Sequence, residues 1–252
     1  MVPRWLGLEC SLSSLCEQPS AAHFLLLLLY LPSSTVLSYI SFILNLIFMF
    51  ENWKKYLAES IATASLSLAV IATIAAKPDF TPFAAALTLG LFVYTIGTIS
   101  GAHLNPAVSL GALVLNKLSW KDAIGYIVSQ IIGGFFALVL ASFFVENLSE
   151  ILETATSTGA SVIGITFAEM IGTFFLGFGV ASVVFKKTPE MMNGIVIGGS
   201  LLLGIFIASS LGAPGILNPA VAIATGSLNV GLIIGPILGA MGGMWLYKML
   251  SK

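Results

Sequence analysis

Leu104-Asn105-Pro106-Ala107-Val108 and Leu217-Asn218-Pro219-Ala220-Val221 are one pentapeptide written twice in a chain of 252 residues. Asparagine favours the N-cap of a helix and proline its first turn, so each copy reads as a helix start. Each copy also lies in a stretch without charge. No Asp, Glu, Lys or Arg occurs from Phe80 to Asn116, from Ala123 to Val145, or from Met191 to Tyr247. Each stretch exceeds the roughly 20 residues that cross about 30 Å of hydrocarbon. A helix that begins at bilayer depth points free N–H groups and the positive end of its dipole at whatever occupies that depth. Two such starts imply a lined pathway.

Composition agrees with a membrane location. With 58% hydrophobic and 8% charged residues and a mean hydropathy of +1.03, the chain is not an ordinary soluble domain. A net charge of −1 argues against nucleic acid as a partner. Cys10 and Cys16 lie outside the charge-free stretches and give them neither a metal site nor a disulfide framework.

The apolar periods predict six spanning helices, about 56–76, 81–99, 122–145, 163–184, 191–211 and 230–250, with half-helices near 106–115 and 219–226. Lys54 and Lys55, Lys117 and Lys121, Lys186 and Lys187, and Lys248 and Lys252 fall in alternate connections and at the end. The positive-inside rule makes all four sets cytoplasmic, so both ends of the six-span unit face the cytoplasm. The other side carries Lys77 and an acidic loop with Glu146, Glu150 and Glu153. The unit also repeats. Ala58-Glu59-Ser60-Ile61-Ala62-Thr63 resembles Ala168-Glu169-Met170-Ile171-Gly172-Thr173, and the distance to the following Asn is 46 residues in one half and 49 in the other. Three spans per half is an odd number, so the halves, 56–145 and 163–250, run in opposite senses and their half-helices meet near mid-membrane.

Those residues resemble the aquaporins, or major intrinsic proteins. The likeness rests on Ser100-Gly101-Ala102-His103-Leu104-Asn105-Pro106-Ala107-Val108, the second Asn-Pro-Ala, the paired Ala-Glu-x-x-x-Thr segments, Gln130-Ile131-Ile132-Gly133-Gly134 and Gly235-Pro236. It covers about 50–250 and implies an all-α membrane protein: six transmembrane helices plus two re-entrant half-helices in an inverted 3+3 repeat, forming a right-handed bundle. It further implies a passive channel for water or small uncharged solutes, with glycerol, ammonia and hydrogen peroxide as cargo to consider, in a multi-pass homotetramer of the plasma membrane. No cofactor, metal or enzymatic activity is implied.

The resemblance also assigns roles. The pore motif comprises Asn105, Pro106 and Ala107 with Asn218, Pro219 and Ala220, the two Asn side chains donating amide hydrogens to a passing oxygen. Two facing half-helix ends act on a cation like roughly one positive charge. Near 4 Å, with an effective dielectric of about 20, that is about 4 kcal/mol, roughly a thousandfold against cations. Glu59 and Glu169 are expected to accept hydrogen bonds from the re-entrant loops, and His103 to buttress its loop. A proton-coupled secondary transporter is the alternative, because intramembrane carboxylates are functional candidates by default and inverted repeats also build carriers.

One position departs from the family. Many aquaporins follow the second motif with Arg, and this chain has Val221 there; its one Arg, Arg4, is far outside the matched region. Family spacing puts the remaining constriction positions at Ala85, Phe206 and Gly215; the first and last are small, giving an apolar constriction that is relatively open apart from Phe206. Ala222 stands where glycerol facilitators usually carry Asp, so the chain fits neither subgroup pattern.

The glycines Gly133, Gly134, Gly172, Gly198, Gly199, Gly235, Gly239 and Gly243 are expected at helix contacts. Residues 1–48 fit none of this. They read as a leader with a weak basic start, as a seventh span from His23 to Phe50, or as an extension ahead of a true start at Met49; the last is the expectation, leaving a channel domain at 49–252.

Overall fold

The computed structural model describes the backbone of residues 33–252 apart from Leu228, and side chains from Asn52 onward with the same exception. The start at Met49 and the extension before it fall outside those side chains. Contacts divide the chain into 1–52 and 53–252, and the architecture below is that of the second unit.

The helices are α1 (Ser33–Ala76), α2 (Thr81–Ser100), α3 (Pro106–Val114), α4 (Trp120–Ser142), α5 (Leu148–Thr156), α6 (Val162–Val184), α7 (Asn193–Ser210), α8 (Pro219–Ala224) and α9 (Gly231–Leu250), with single 3-10 turns leading into α2 and α7. Six stretches among the described residues are long and apolar enough to cross a bilayer: Asn52–Ala76, Pro78–Ser100, Trp120–Ser142, Val162–Val184, Glu190–Ser210 and Gly231–Leu250. The short α3 and α8 begin at the two Asn-Pro-Ala motifs. The protein is therefore an all-α membrane protein with the predicted spans. The acidic connection after α4 differs from its reading as a loop, because it forms the nine-residue helix α5.

Local chemistry sets the boundaries. Ser119 and Ser161 cap α4 and α6 by accepting from the N–H groups of Asp122 and Gly164. Gly101 ends α2 at φ 89°, a left-handed conformation that glycine adopts without a Cβ clash. At the lysine-rich end, the Lys55 ammonium lies 2.9 Å from an Asp122 oxygen that also accepts from the Tyr56 hydroxyl, tying α1 to α4.

Between the spans, contact is backbone on backbone. Lipid tails are as apolar as leucine, so helices associate in a bilayer through close van der Waals fit, which small residues permit. A Cβ added at Gly235, Gly239 or Gly243 of α9 would collide with the carbonyl oxygens of Thr166, Met170 and Phe174 on α6. Gly133 meets Ser60 of α1, and Gly90 of α2 faces Gly194 and Gly198 of α7. Gly199 departs from expectation, since it has no heavy atom within 4 Å of its Cβ position. The halves also exchange supports: α3 packs on α9 and α8 on α4. Each half-helix is thus held by a span of the other half.

Gly239→Val should abolish the monodisperse folded species in detergent on size exclusion, whereas Gly199→Ala should elute like the parent; equal behaviour of the two would contradict this packing account.

Candidate functional site

An irregular loop at membrane depth has no water to satisfy its peptide groups, so something inside the protein must do so. Two carboxylates serve this purpose. Glu59 and Glu169 are both fully buried. Glu169 accepts from three successive backbone N–H groups, those of Gly215 (2.9 Å), Ile216 (3.0 Å) and Leu217 (2.7 Å). Glu59 accepts from the N–H groups of His103 (2.9 Å) and Leu104 (2.8 Å), from the Ser100 hydroxyl (2.7 Å) and from the Gln130 amide (2.8 Å). Consecutive N–H groups converge on one anion when residues of opposite backbone hand alternate. Gly215 (φ 72°) and Leu217 (φ 54°) supply the left-handed members in one loop, Ala102 and Leu104 (both φ 52°) in the other. For leucine this conformation costs about 1–2 kcal/mol, and the charge-assisted hydrogen bonds offset it.

The peptide bonds of the described residues are all trans. Turning the N–H groups of residues 215–217 toward Glu169 therefore turns the carbonyls of Pro214, Gly215 and Ile216 the other way. Those three residues line a cavity of about 600 Å³ at the α5 end of the bundle. In the same way the carbonyls of Ala102 and His103 point away from Glu59, and both residues line a second cavity, of about 780 Å³, at the lysine-rich end. Leu89, His103 and Val108 border both cavities. Neither glutamate lines either one.

The motif asparagines close the junction reciprocally. Asn105 Nδ2 donates to the Leu217 carbonyl and Asn218 Nδ2 to the Leu104 carbonyl, each at 2.9 Å. Their Oδ1 atoms accept from the N–H groups of Ala107 (2.8 Å) and Ala220 (3.0 Å), as N-caps do. A primary amide has two N–H donors. One on each Asn is used in this clasp, which leaves one on each for the cavity that both residues line. Pro106, Ala107, Pro219 and Ala220 are buried behind them. Hydrophobic packing at the motif extends through Leu104 and Leu217, both fully buried.

His103 sits where the cavities adjoin. Its Nδ1 lies 3.1 Å from the Ser109 hydroxyl, and its ring meets Tyr126 edge-on with centroids 5.0 Å apart. The Tyr126 hydroxyl in turn donates to the Ser100 carbonyl at 2.5 Å. Gln130, which the sequence offered only as part of a motif, donates to Glu59 and to Ser109 (3.0 Å) and so joins both supports. Among the described residues no cluster of three His, Cys, Asp or Glu side chains is arranged to hold a metal ion.

Of the four constriction positions, Ala85, Gly215 and Val221 line the cavity at the α5 end. Phe206 does not. It is 45% exposed on the outer surface, its ring edge-on to the equally outward Phe83 at 5.8 Å. The inward stripe of α7 is Leu201, Ile205 and Ser209, at four-residue spacing, and a shift of one residue turns a side chain about 100° around a helix. Ile205, not Phe206, is the α7 residue that lines this cavity with Gly215.

A three-span inverted repeat closing two re-entrant half-helices onto one buried junction defines a multi-pass α-helical membrane protein. The family model described as Major intrinsic protein matches residues 47–247, and the chain belongs to that family, which is made up of channels. It is 32% identical to Glycerol uptake facilitator protein-like 6 of Lactiplantibacillus plantarum, over 77% of this chain and 89% of that protein. Identity to the probable aquaporin AqpM of Archaeoglobus fulgidus is 32%, over 66% of this chain and 74% of the relative. Aquaporin NIP1-1 of Zea mays is 27% identical over 65% of this chain, and the chain spans about 60% of that relative's length. The crystal structure of the aquaglyceroporin from Plasmodium falciparum superimposes with a TM-score of 0.65 at 21% identity, covering 80% of this chain and 96% of that one, which establishes the shared fold.

Glu169→Gln replaces a two-oxygen acceptor by an amide that presents N–H to N–H; loss of charge-assisted bonds worth about 1.5–3 kcal/mol each should destabilise by about 3 kcal/mol. A lower thermal unfolding midpoint in detergent is expected, and an unchanged midpoint would contradict the supporting role.

Proposed function

We propose that this chain is a passive pore for water and small uncharged solutes, without proton coupling. The observation that carries the reading is the reciprocal asparagine clasp, which leaves one N–H of Asn105 and one of Asn218 for the cavity that both residues line. An oxygen arriving there accepts from these two donors, while its own hydrogens find the carbonyls of Pro214, Gly215 and Ile216 on one side and of Ala102 and His103 on the other. A neutral solute exchanges its hydration for these contacts step by step. A cation meets two positive half-helix ends instead.

Proton coupling needs a titratable carboxylate in the pathway. Glu59 and Glu169 are set back from it, their oxygens occupied by four and three donors respectively, which favours support of the loops over transport.

Ala85, Ile205, Gly215 and Val221 make the constriction aliphatic in this reading. An arginine at the fourth position would bring five N–H donors and a fixed charge; valine brings neither, so the aperture favours solutes that carry CH groups beside their hydroxyls. The relationship to a glycerol uptake facilitator-like protein makes glycerol the first polyol to test. The lysine-rich end is read as cytoplasmic on the positive-inside distribution. A plasma-membrane location and a homotetramer follow the family resemblance.

Reconstituted vesicles should swell in stopped-flow assays faster than empty vesicles with water and glycerol, and Val221→Arg should cut glycerol flux about tenfold or more while reducing water flux less. Permeability no higher than that of empty vesicles would overturn the reading, and equal loss of both fluxes would overturn the role of Val221.

A further inference from the structure

With no arginine at the mouth and Ala85, Ile205, Gly215 and Val221 at the constriction, the narrow point carries no charged side chain. A second wall stands above it. The helix α5 (Leu148–Thr156) follows α4 in a connection whose carboxylates, Glu146, Glu150 and Glu153, marked it in the sequence as a solvated loop. It is anchored on one face: Leu148 and Leu152, one turn apart and 6% and 2% exposed, pack with Ile71 of α1, Ala141 of α4 and Ala224 of α8. That anchor includes a residue of the re-entrant half-helix itself. The wall is therefore fixed to the element that sets the constriction rather than to a free loop.

The adjoining face of α5 borders the pathway. Glu150, Ile151, Thr154 and Ala155 line the same 600 Å³ cavity as Ala85, Ile205, Gly215 and Val221. Pro78, Thr81 and Pro82, in the turn before α2 and at its start, line the same cavity, a segment stiffened by two prolines. Ile151 is the bulkiest apolar side chain that α5 gives to this cavity.

We propose that α5 is a second selectivity element of the channel, with Ile151 as a specificity-determining residue that limits the length and girth of polyols at the mouth. The proposal rests on the passive-pore reading above. In it, the constriction sets which polarity passes and α5 sets how large the solute is; the two are separable because they lie on different elements of the same cavity.

The test uses the full chain in liposomes, with water, glycerol and the four-carbon polyol erythritol as probes in stopped-flow swelling. Ile151→Trp should lower the erythritol-to-water flux ratio by about tenfold, the order that one or two methylenes set in a fitted pocket, and Ile151→Ala should raise it. Leu152→Ala, which loosens the anchor, should shift the ratio in the same direction as Ile151→Ala. Ratios equal to the parent's in both Ile151 variants would overturn the proposal while leaving the pore reading intact; absence of any flux through the parent chain would overturn the pore reading instead.

Discussion

A bilayer supplies no water to a peptide group, and every irregular backbone segment at membrane depth must be satisfied by the protein itself. In this chain that requirement is met by two buried carboxylates, and the rest of the site follows from them. Glu59 and Glu169 gather the N–H groups of the two re-entrant loops on one side. The same peptide planes then present their carbonyls on the opposite side, toward the cavities. Loop support and cavity lining are two faces of one set of peptides, so the positions of the cavity-facing carbonyls are fixed by glutamates that line neither cavity.

The asparagines complete the arrangement across the repeat. Each caps its own half-helix through Oδ1 and ties the other loop through Nδ2. The remaining donors lie where the two halves meet. Packing repeats this logic, since α3 rests on α9 and α8 on α4. Small residues make those approaches possible: Gly134 of α4 faces the carbonyl of Ala220 in α8, and Gly111 of α3 faces Met244 of α9. Each half-helix thus rests on a span of the other half as well as on the glutamate of its own.

Much of this is legible in the sequence. Charge-free stretches mark four of the six spans, the other two are apolar runs that each carry one glutamate, and Asn-Pro at a charge-free site marks both half-helices, because capping preferences act locally. The paired glutamates were also readable, since a lone carboxylate in an apolar run needs partners and the repeat supplied two equivalent ones. Three things were not legible. Family spacing puts Phe206 at the constriction by counting across a loop, whereas Ile205 lines the cavity, because a helix converts one residue of slippage into a different face. The helix α5 was hidden because its carboxylates dominate a short segment whose two anchoring leucines are only one turn apart. Gly199 reads like its neighbour Gly198, yet one meets Ala86 and the other meets nothing, a distinction that depends on helix rotation.

In the proposed pore, with Val221 in place of the arginine, exclusion of ions would rest on the half-helix ends and on the two asparagines. Simultaneous measurement of ionic current in planar bilayers and solute flux in vesicles, from the same preparation, tests that claim most directly. The account predicts water and glycerol flux with no current above that of the bare bilayer. A cation current that rises with the amount of incorporated protein would contradict it.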